Sequence, residues 1–231
     1  MTGQMLLVED LMLLILDDRK GTAAGYNAVQ YMLGGGLLVE LAMLERVTQE
    51  GEKTLLSRPY IVATGEGPLP DPLLQQAWDT IAEKPRGAQS MLARIGKGLH
   101  KTVAARLVDR GLVREEKRQW LGVFPQTTHP AADPAREAAV RREIRAVLAD
   151  GAQPDPRTAA LIALLSAGGV LKASLRDMDP PLRWSGDIRR RGKEIQDGDW
   201  GAQAVSDAVK AAAAAIAAST AAVSAAAAVS G

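Results

Sequence analysis

Residues 99–130 read LHKTVAARLVDRGLVREEKRQWLGVFPQTTHP, and the fold turns on how this stretch divides. Leu99, Val103 and Leu107 recur at helical spacing, which predicts a helix over about 99–110 ended by Gly111. Leu112-Val113-Arg114, a charged turn through Glu115, Glu116, Lys117 and Arg118, and then Trp120-Leu121-Gly122-Val123-Phe124 read as a hairpin. The same device stands earlier in the chain. A helix over about 27–45 carries Leu33, Leu37, Leu41 and Leu44 on one stripe, and Arg46-Val47-Thr48, a polar turn and Thr54 to Val62 follow as a hairpin. A third helix, about 158–166, runs through Gly168-Gly169 into Val170-Leu171 with no evident return strand. The spacing is irregular, so one device is reused and no solenoid is built.

Outward from these units, Leu7, Leu11, Leu14 and Ile15 predict a first helix over 7–17. The stretches GEGPLPDP (65–72) and GAQPDP (151–156) are loops after which helices can begin afresh. REAAVRREIRAVL (136–148) is amphipathic, with Val140, Ile144, Val147 and Leu148 inward and its arginines expected on a solvated face. Residues 182–200 form another helix with Trp184, Ile188 and Ile195 toward the core. Gly34-Gly35-Gly36 inside the second helix costs roughly 1 kcal/mol of propensity per residue against alanine. Such a run points to close helix packing. The Ala-rich stretch 204–231 reads as a helix packed or fraying along the body. Alanine supplies too little apolar drive for a bilayer span.

Composition narrows the function. Twenty-eight Lys+Arg against 27 Asp+Glu exclude whole-molecule electrostatic capture of nucleic acid or membrane, so any basic site is local. Zero cysteines exclude disulfides, thiolate metal sites and a thiol nucleophile. With only His100 and His129 there is little histidine for metal binding or acid–base work, and no metal site, cofactor or catalytic residue is expected. Aromatics at 3% predict an aliphatic core. The N-terminus lacks a cationic region, and Glu9 and Asp10 break its apolar run, so no signal peptide is read and a cytoplasmic location is expected. Abundant Ala, and Arg in excess of Lys, point to a GC-rich, bacterial gene. The balance favours a soluble binding or scaffolding protein over an enzyme.

Two features carry binding chemistry. Lys97, His100 and Lys101 fall within one expected helical turn with Arg94 one turn earlier, a grouping suited to phosphate. Trp120, Leu121, Val123 and Phe124 crowd the hairpin, as core if it is buried and as an interfacial wedge if its tip is exposed. His129, in Thr127-Thr128-His129-Pro130, reads as a structural hydrogen-bonding residue. A helix followed by a hairpin also describes part of a winged helix, with 99–110 in the major groove of DNA. The near-neutral charge and apolar wing match a phosphate backbone poorly, and no nucleic-acid partner is expected.

Taken together, these blocks resemble the Golgi phosphoprotein 3 family. The matching residues run through Glu9-Asp10-Leu11-Met12-Leu13-Leu14 and Asp18-Arg19-Lys20-Gly21, then Gly35-Gly36-Leu37-Leu38-Val39-Glu40-Leu41-Ala42. Leu107 to Val113 and the hairpin to His129-Pro130 complete them. The resemblance covers roughly residues 5–200. It implies a mainly α, single helical domain over 1–203, with central helices wrapped by amphipathic helices and short hairpins, and 204–231 as an Ala-rich C-terminal helix or tail. It also implies peripheral membrane binding. Eukaryotic members hold phosphatidylinositol 4-phosphate in a shallow basic pocket beside an inserting hairpin, and retain Golgi glycosyltransferases and coat components there.

Carried over by residue, the resemblance implies a headgroup site of Tyr26, Asn27, Gly34, Lys97, His100 and Lys101. Tyr26 stands for a tryptophan. Gly34 or its neighbour stands where an arginine is lost, and Lys97 and His100 stand for two arginines. The inserting hairpin aligns with 116–127 and keeps Trp120, Leu121, Val123 and Phe124. Each cation near an anionic surface is worth about 1 kcal/mol, and full burial of one large apolar side chain about 1.5–3 kcal/mol. The hairpin therefore dominates the expected membrane affinity. The expected partners are an anionic phospholipid membrane and client proteins or enzymes, with oligomeric state open. The alternatives are the winged-helix DNA binder and a soluble partner of a biosynthetic enzyme.

Overall fold

The computed structural model describes residues 4–16, 26–51, 59–120, 124–176, 178–198 and 206–218, and no side chain at 26, 27, 117–120 or 124–126. Three helices with little polar surface make its centre. Every residue of α1 (Leu7–Ile15) is buried. Most of α7 (Pro156–Ala167) is buried as well, as expected of a helix apolar on all sides. Between them runs α2 (Tyr26–Met43), whose glycines explain its position. A Cβ at Gly34 would stand 2.7 Å from the Leu92 carbonyl oxygen. One at Gly35 would meet Leu164 at 3.0 Å and Ala212 at 3.3 Å, and one at Gly36 would meet the Val8 Cα at 3.3 Å. Successive glycines thus let one helix approach three sets of neighbours, the close packing that the sequence predicts.

Amphipathic elements wrap this centre: α3 (Pro72–Glu83), α4 (Ala88–Ile95), α5 (Leu99–Asp109), α6 (Ala135–Leu148), the short α8 (Leu171–Ser174), α9 (Gly186–Asp197) and α10 (206–218). The two Asp-Pro pairs found in the loops are helix starts. Asp71 accepts from the Leu73 N–H ahead of α3, and Asp155 from the Arg157 and Thr158 N–H groups ahead of α7, each followed by proline in the first turn. The core is aliphatic: among the described residues its buried hydrophobics are Leu, Ile, Val, Met and Ala. Trp78 and Trp184 pack at its edge. Trp78 Nε1 donates to the carbonyls of Arg46 and Thr64, with the Arg46 guanidinium over its ring. Along α10, Val209, Ala212 and Ile216 are buried against α2 and α7.

Strands β1 (Val47–Glu50), β2 (Tyr60–Ala63) and β3 (Arg86–Gly87) form an antiparallel sheet in that order. A separate ribbon pairs β4 (Glu116–Trp120) with β5 (Phe124–Thr128) in the register Glu116↔Thr128 to Trp120↔Phe124. Here the reading of the opening stretch is corrected. Glu116, Lys117 and Arg118 are strand, and the reversal falls at 121–123. Val113 bridges Ala131 below the ribbon, so pairing starts one strand-length later than apolar content alone indicates.

A charged knot fastens the helices together. Glu9 and Asp10 of α1 are both 0% exposed. Glu9 accepts from Arg106 Nε at 3.1 Å and Arg110 Nε at 2.9 Å. Asp10 accepts from Arg136 and Arg157 through two nitrogens of each. Arg157 reaches Glu40 of α2, whose carboxylate also accepts from the Leu7 N–H. Arg106 reaches Asp71 at 2.6 Å. Burial pushes the Glu40 carboxyl above its ordinary range, against the opposing pull of Leu7 and Arg157. The expectation of a solvated arginine face on 136–148 is therefore corrected. Arg136 turns to Asp10, and Arg141 is buried beside Glu137 with its Nε donating to the Ser174 carbonyl.

Candidate functional site

The basic turn sits where α4 gives way to α5. Gly96 must be glycine because a Cβ there would collide with the Gln30 carbonyl oxygen, and Gly98 takes a left-handed φ of 71°. The chain therefore breaks at 96–98. Lys97 lies in the break, His100 and Lys101 in the first turn of α5, and Arg94 at the end of α4. The expectation of a single helical turn holding Lys97, His100 and Lys101 is corrected: Lys97 is outside the helix and the i, i+3 argument does not apply to it.

Lys97 and Lys101 are exposed. His100 is half-buried, and its pKa is held below the ordinary 6.5 by burial first, then by the charges of Lys101 and His129. At pH 7 it is therefore neutral in the main and adds little electrostatic attraction. That His129 acts on His100 also places the root of the β4–β5 ribbon beside the start of α5.

Gly34 comes to this corner from α2. Its would-be Cβ lies 3.4 Å from the Gly96 nitrogen, and Gln30 Nε2 one turn earlier donates to the Ala93 carbonyl at 2.6 Å. Tyr26 and Asn27 open α2, but their side chains lie outside the described residues. Trp120 and Phe124 are register partners at the far end of the ribbon, with undescribed side chains, and Leu121 and Val123 lie outside the described residues.

A cleft not foreseen from the sequence opens on the other side of Lys97. It has a volume of about 130 Å³ between α3, the end of α4 and the start of α5, and its rim carries Gln76, Thr80, Arg94, Lys97 and Thr102. The sequence signal was the Asp71-Pro72 helix start, which brings α3 and hence Thr80 to this face. Broader hollows lie elsewhere, one of about 640 Å³ beside the alanines of α10 and one of about 850 Å³ along α9. In the latter, Arg190 and Lys193 are already paired with acids of their own helix.

The winged-helix alternative loses its cations here. Of the lysines and arginines of α5, Arg106 is engaged by Glu9 and Asp71, and Arg110 just beyond the helix by Glu9. That leaves Lys101 to face a phosphate backbone. Among the described residues no group of three or more His, Asp or Glu is placed to hold a metal ion, and no helix is long and apolar enough to cross a membrane.

These features define a class: a mainly α single domain with an apolar helical centre, amphipathic outer helices, and small antiparallel sheets that follow helices. The chain belongs to the Golgi phosphoprotein 3 (GPP34) family, whose sequence profile matches residues 7–212. It is similar to vacuolar protein sorting-associated protein 74 of Schizosaccharomyces pombe, with 26% identity over 161 residues that cover 62% of this chain and 48% of the yeast protein. The chain thus spans about half the length of that relative.

Proposed function

We propose that the chain is a non-enzymatic peripheral adaptor that docks on membranes rich in anionic phospholipid, phosphatidylinositol 4-phosphate-like headgroups among them. Lys97 and Lys101 supply the charge and the β4–β5 hairpin supplies the apolar contact. The observation that carries this reading is the juxtaposition of the basic turn with the hairpin root, through His100 and His129, in a chain of this family. Two exposed lysines offer about 2 kcal/mol at an anionic surface. The four apolar tip residues offer more, even when an interface realises only part of their full-burial value. In this reading the protein is cytoplasmic and peripherally bound, and its other faces remain available to client proteins or enzymes.

Liposome co-sedimentation tests it, with vesicles of phosphatidylcholine alone or with added phosphatidylglycerol, phosphatidylinositol or phosphatidylinositol 4-phosphate. Wild type should sediment with the anionic vesicles. Trp120→Ala/Phe124→Ala should lose most binding to every vesicle, and Lys97→Ala/Lys101→Ala should lose the preference for anionic ones. A wild-type protein that stays in the supernatant with all four compositions refutes membrane docking and moves the hairpin to a protein interface.

A further inference from the structure

The cleft beside Lys97 has the size, charge and closure of a receptacle for one terminal phosphate group. We infer that a phosphate monoester binds between α3 and α5, held by Arg94, Lys97 and Thr102, on the α3 side of the basic turn. This deepens the lipid reading by placing the phosphate on residues other than Tyr26 and His100, but phosphate binding by the cleft does not depend on membrane docking.

Volume comes first. About 130 Å³ is the space of roughly four water molecules at 30 Å³ each, enough for a phosphate and too little for an inositol ring or a nucleoside. Closure is the second consideration. The floor is built from buried Leu37, Leu73 and Leu99, so the cleft admits the end of a ligand and does not let a chain pass through. A phosphodiester carries a substituent on each side and one negative charge. A monoester ends in three oxygens with a charge of roughly −1.5 to −2 at pH 7, which suits a blind cleft.

The lining chemistry agrees. Its charged members are Arg94 and Lys97, with no carboxylate, so the formal charge meets that of the dianion. Arg94 offers a planar fork and Lys97 a point charge. Thr102 is an exposed hydroxyl in the first turn of α5, whereas the Thr80 hydroxyl already donates to the Gln76 carbonyl. Lys97 makes no hydrogen bond or ion pair among the described residues. Arg94 is held by Glu83 at 2.6 Å, with both side chains about half exposed. Glu83 is thus a positioning residue and also a competitor: it aims the guanidinium and must share it with an incoming phosphate.

The phosphate could belong to a lipid headgroup or be free, and the experiment separates these sources. Isothermal titration would use inorganic phosphate and soluble inositol 1,4-bisphosphate. Co-sedimentation would use phosphatidylcholine vesicles with and without phosphatidylinositol 4-phosphate. Arg94→Gln and Lys97→Gln should each weaken inositol bisphosphate binding about tenfold or more, the loss of one charge-assisted contact. Thr102→Val should weaken it less. Glu83→Gln, which releases Arg94, should strengthen it. Lys101→Gln and His100→Gln, outside the cleft, should leave it within twofold, and thermal melts would verify folding of each variant. Binding of both soluble probes without vesicle binding supports the cleft with a free phosphate ligand, although membrane docking has then failed. Wild type binding neither soluble probe overturns the inference, whatever the vesicles show. It is overturned equally if Arg94→Gln binds like wild type or if the losses fall on Lys101→Gln and His100→Gln.

Discussion

Gly34 shows how one atom decides between two explanations for a missing cation. The position is glycine because a Cβ would stand 2.7 Å from a helical carbonyl oxygen, a distance backbone cannot yield without moving α4. Restoring the arginine that the family resemblance places there should therefore damage the protein and rescue nothing. Gly34→Arg is expected to lose about 1–3 kcal/mol or more in urea denaturation, with no gain in binding to anionic vesicles. A stable variant with stronger binding would contradict the packing argument. His100 is the other informative residue. Its folded-state pKa is depressed by burial and by neighbouring positive charge, so its contribution to stability is complete above the ordinary value of 6.5 and is lost as pH falls through the lower folded value. A urea titration repeated across that window should show wild type weakening toward acid and His100→Gln weakening less; parallel slopes would mean that the histidine is not coupled to folding.

Among the elements, those with strong apolar periodicity were legible from sequence alone: α1, α2, α5, α6, α7 and α9 lie close to where the spacing of their leucines, valines and isoleucines puts them. The two Asp-Pro starts were visible as loops. What stayed hidden depended on contacts between distant segments. The α4–α5 break is forced by Gln30 pressing on Gly96 from another helix, and nothing local marks Lys97 as lying in a turn. The arginines of α5 and α6 looked solvated because their acids lie about a hundred residues or more away, 97 for Arg106 and Glu9. Of the candidate site, the residue types at 97–101 and the presence of a hairpin were readable. The α3 cleft was not, since α3 approaches only in three dimensions. The Ala-rich α10 offers a quantitative check. Ile216 is fully buried against Gly35 in α2, so Ile216→Ala should cost about 2–4 kcal/mol by chemical denaturation. An unchanged midpoint would mean that this helix is not seated on the body in solution.

Across the whole molecule, Glu9 and Asp10 join α1 to α5, α6 and α7, and through Glu40 and Asp71 to α2 and α3. Asp10→Asn keeps the shape but leaves two arginines without their shared countercharge. It should destabilise the domain by about 3–5 kcal/mol, because the cost is that of an uncompensated pair and not of one hydrogen bond. A loss below about 1 kcal/mol would show that the arginines find water instead. The knot also has a history within each molecule's synthesis. Asp10 and Arg157 are 147 residues apart, so at about 5–20 residues per second the ribosome delivers the carboxylate about 7–30 seconds before this counterion exists. Throughout that interval α1 is an apolar segment with two acids that it cannot bury, and the N-terminal half has no route to its final packing. Pulse proteolysis of stalled nascent chains should find α1 cleavable until Arg157 has left the exit tunnel and protected soon after. Protection of chains stalled well before that point would show that the early helices settle without it. If the delay holds, the last third of the message sets when the first helix becomes safe from proteases and chaperones.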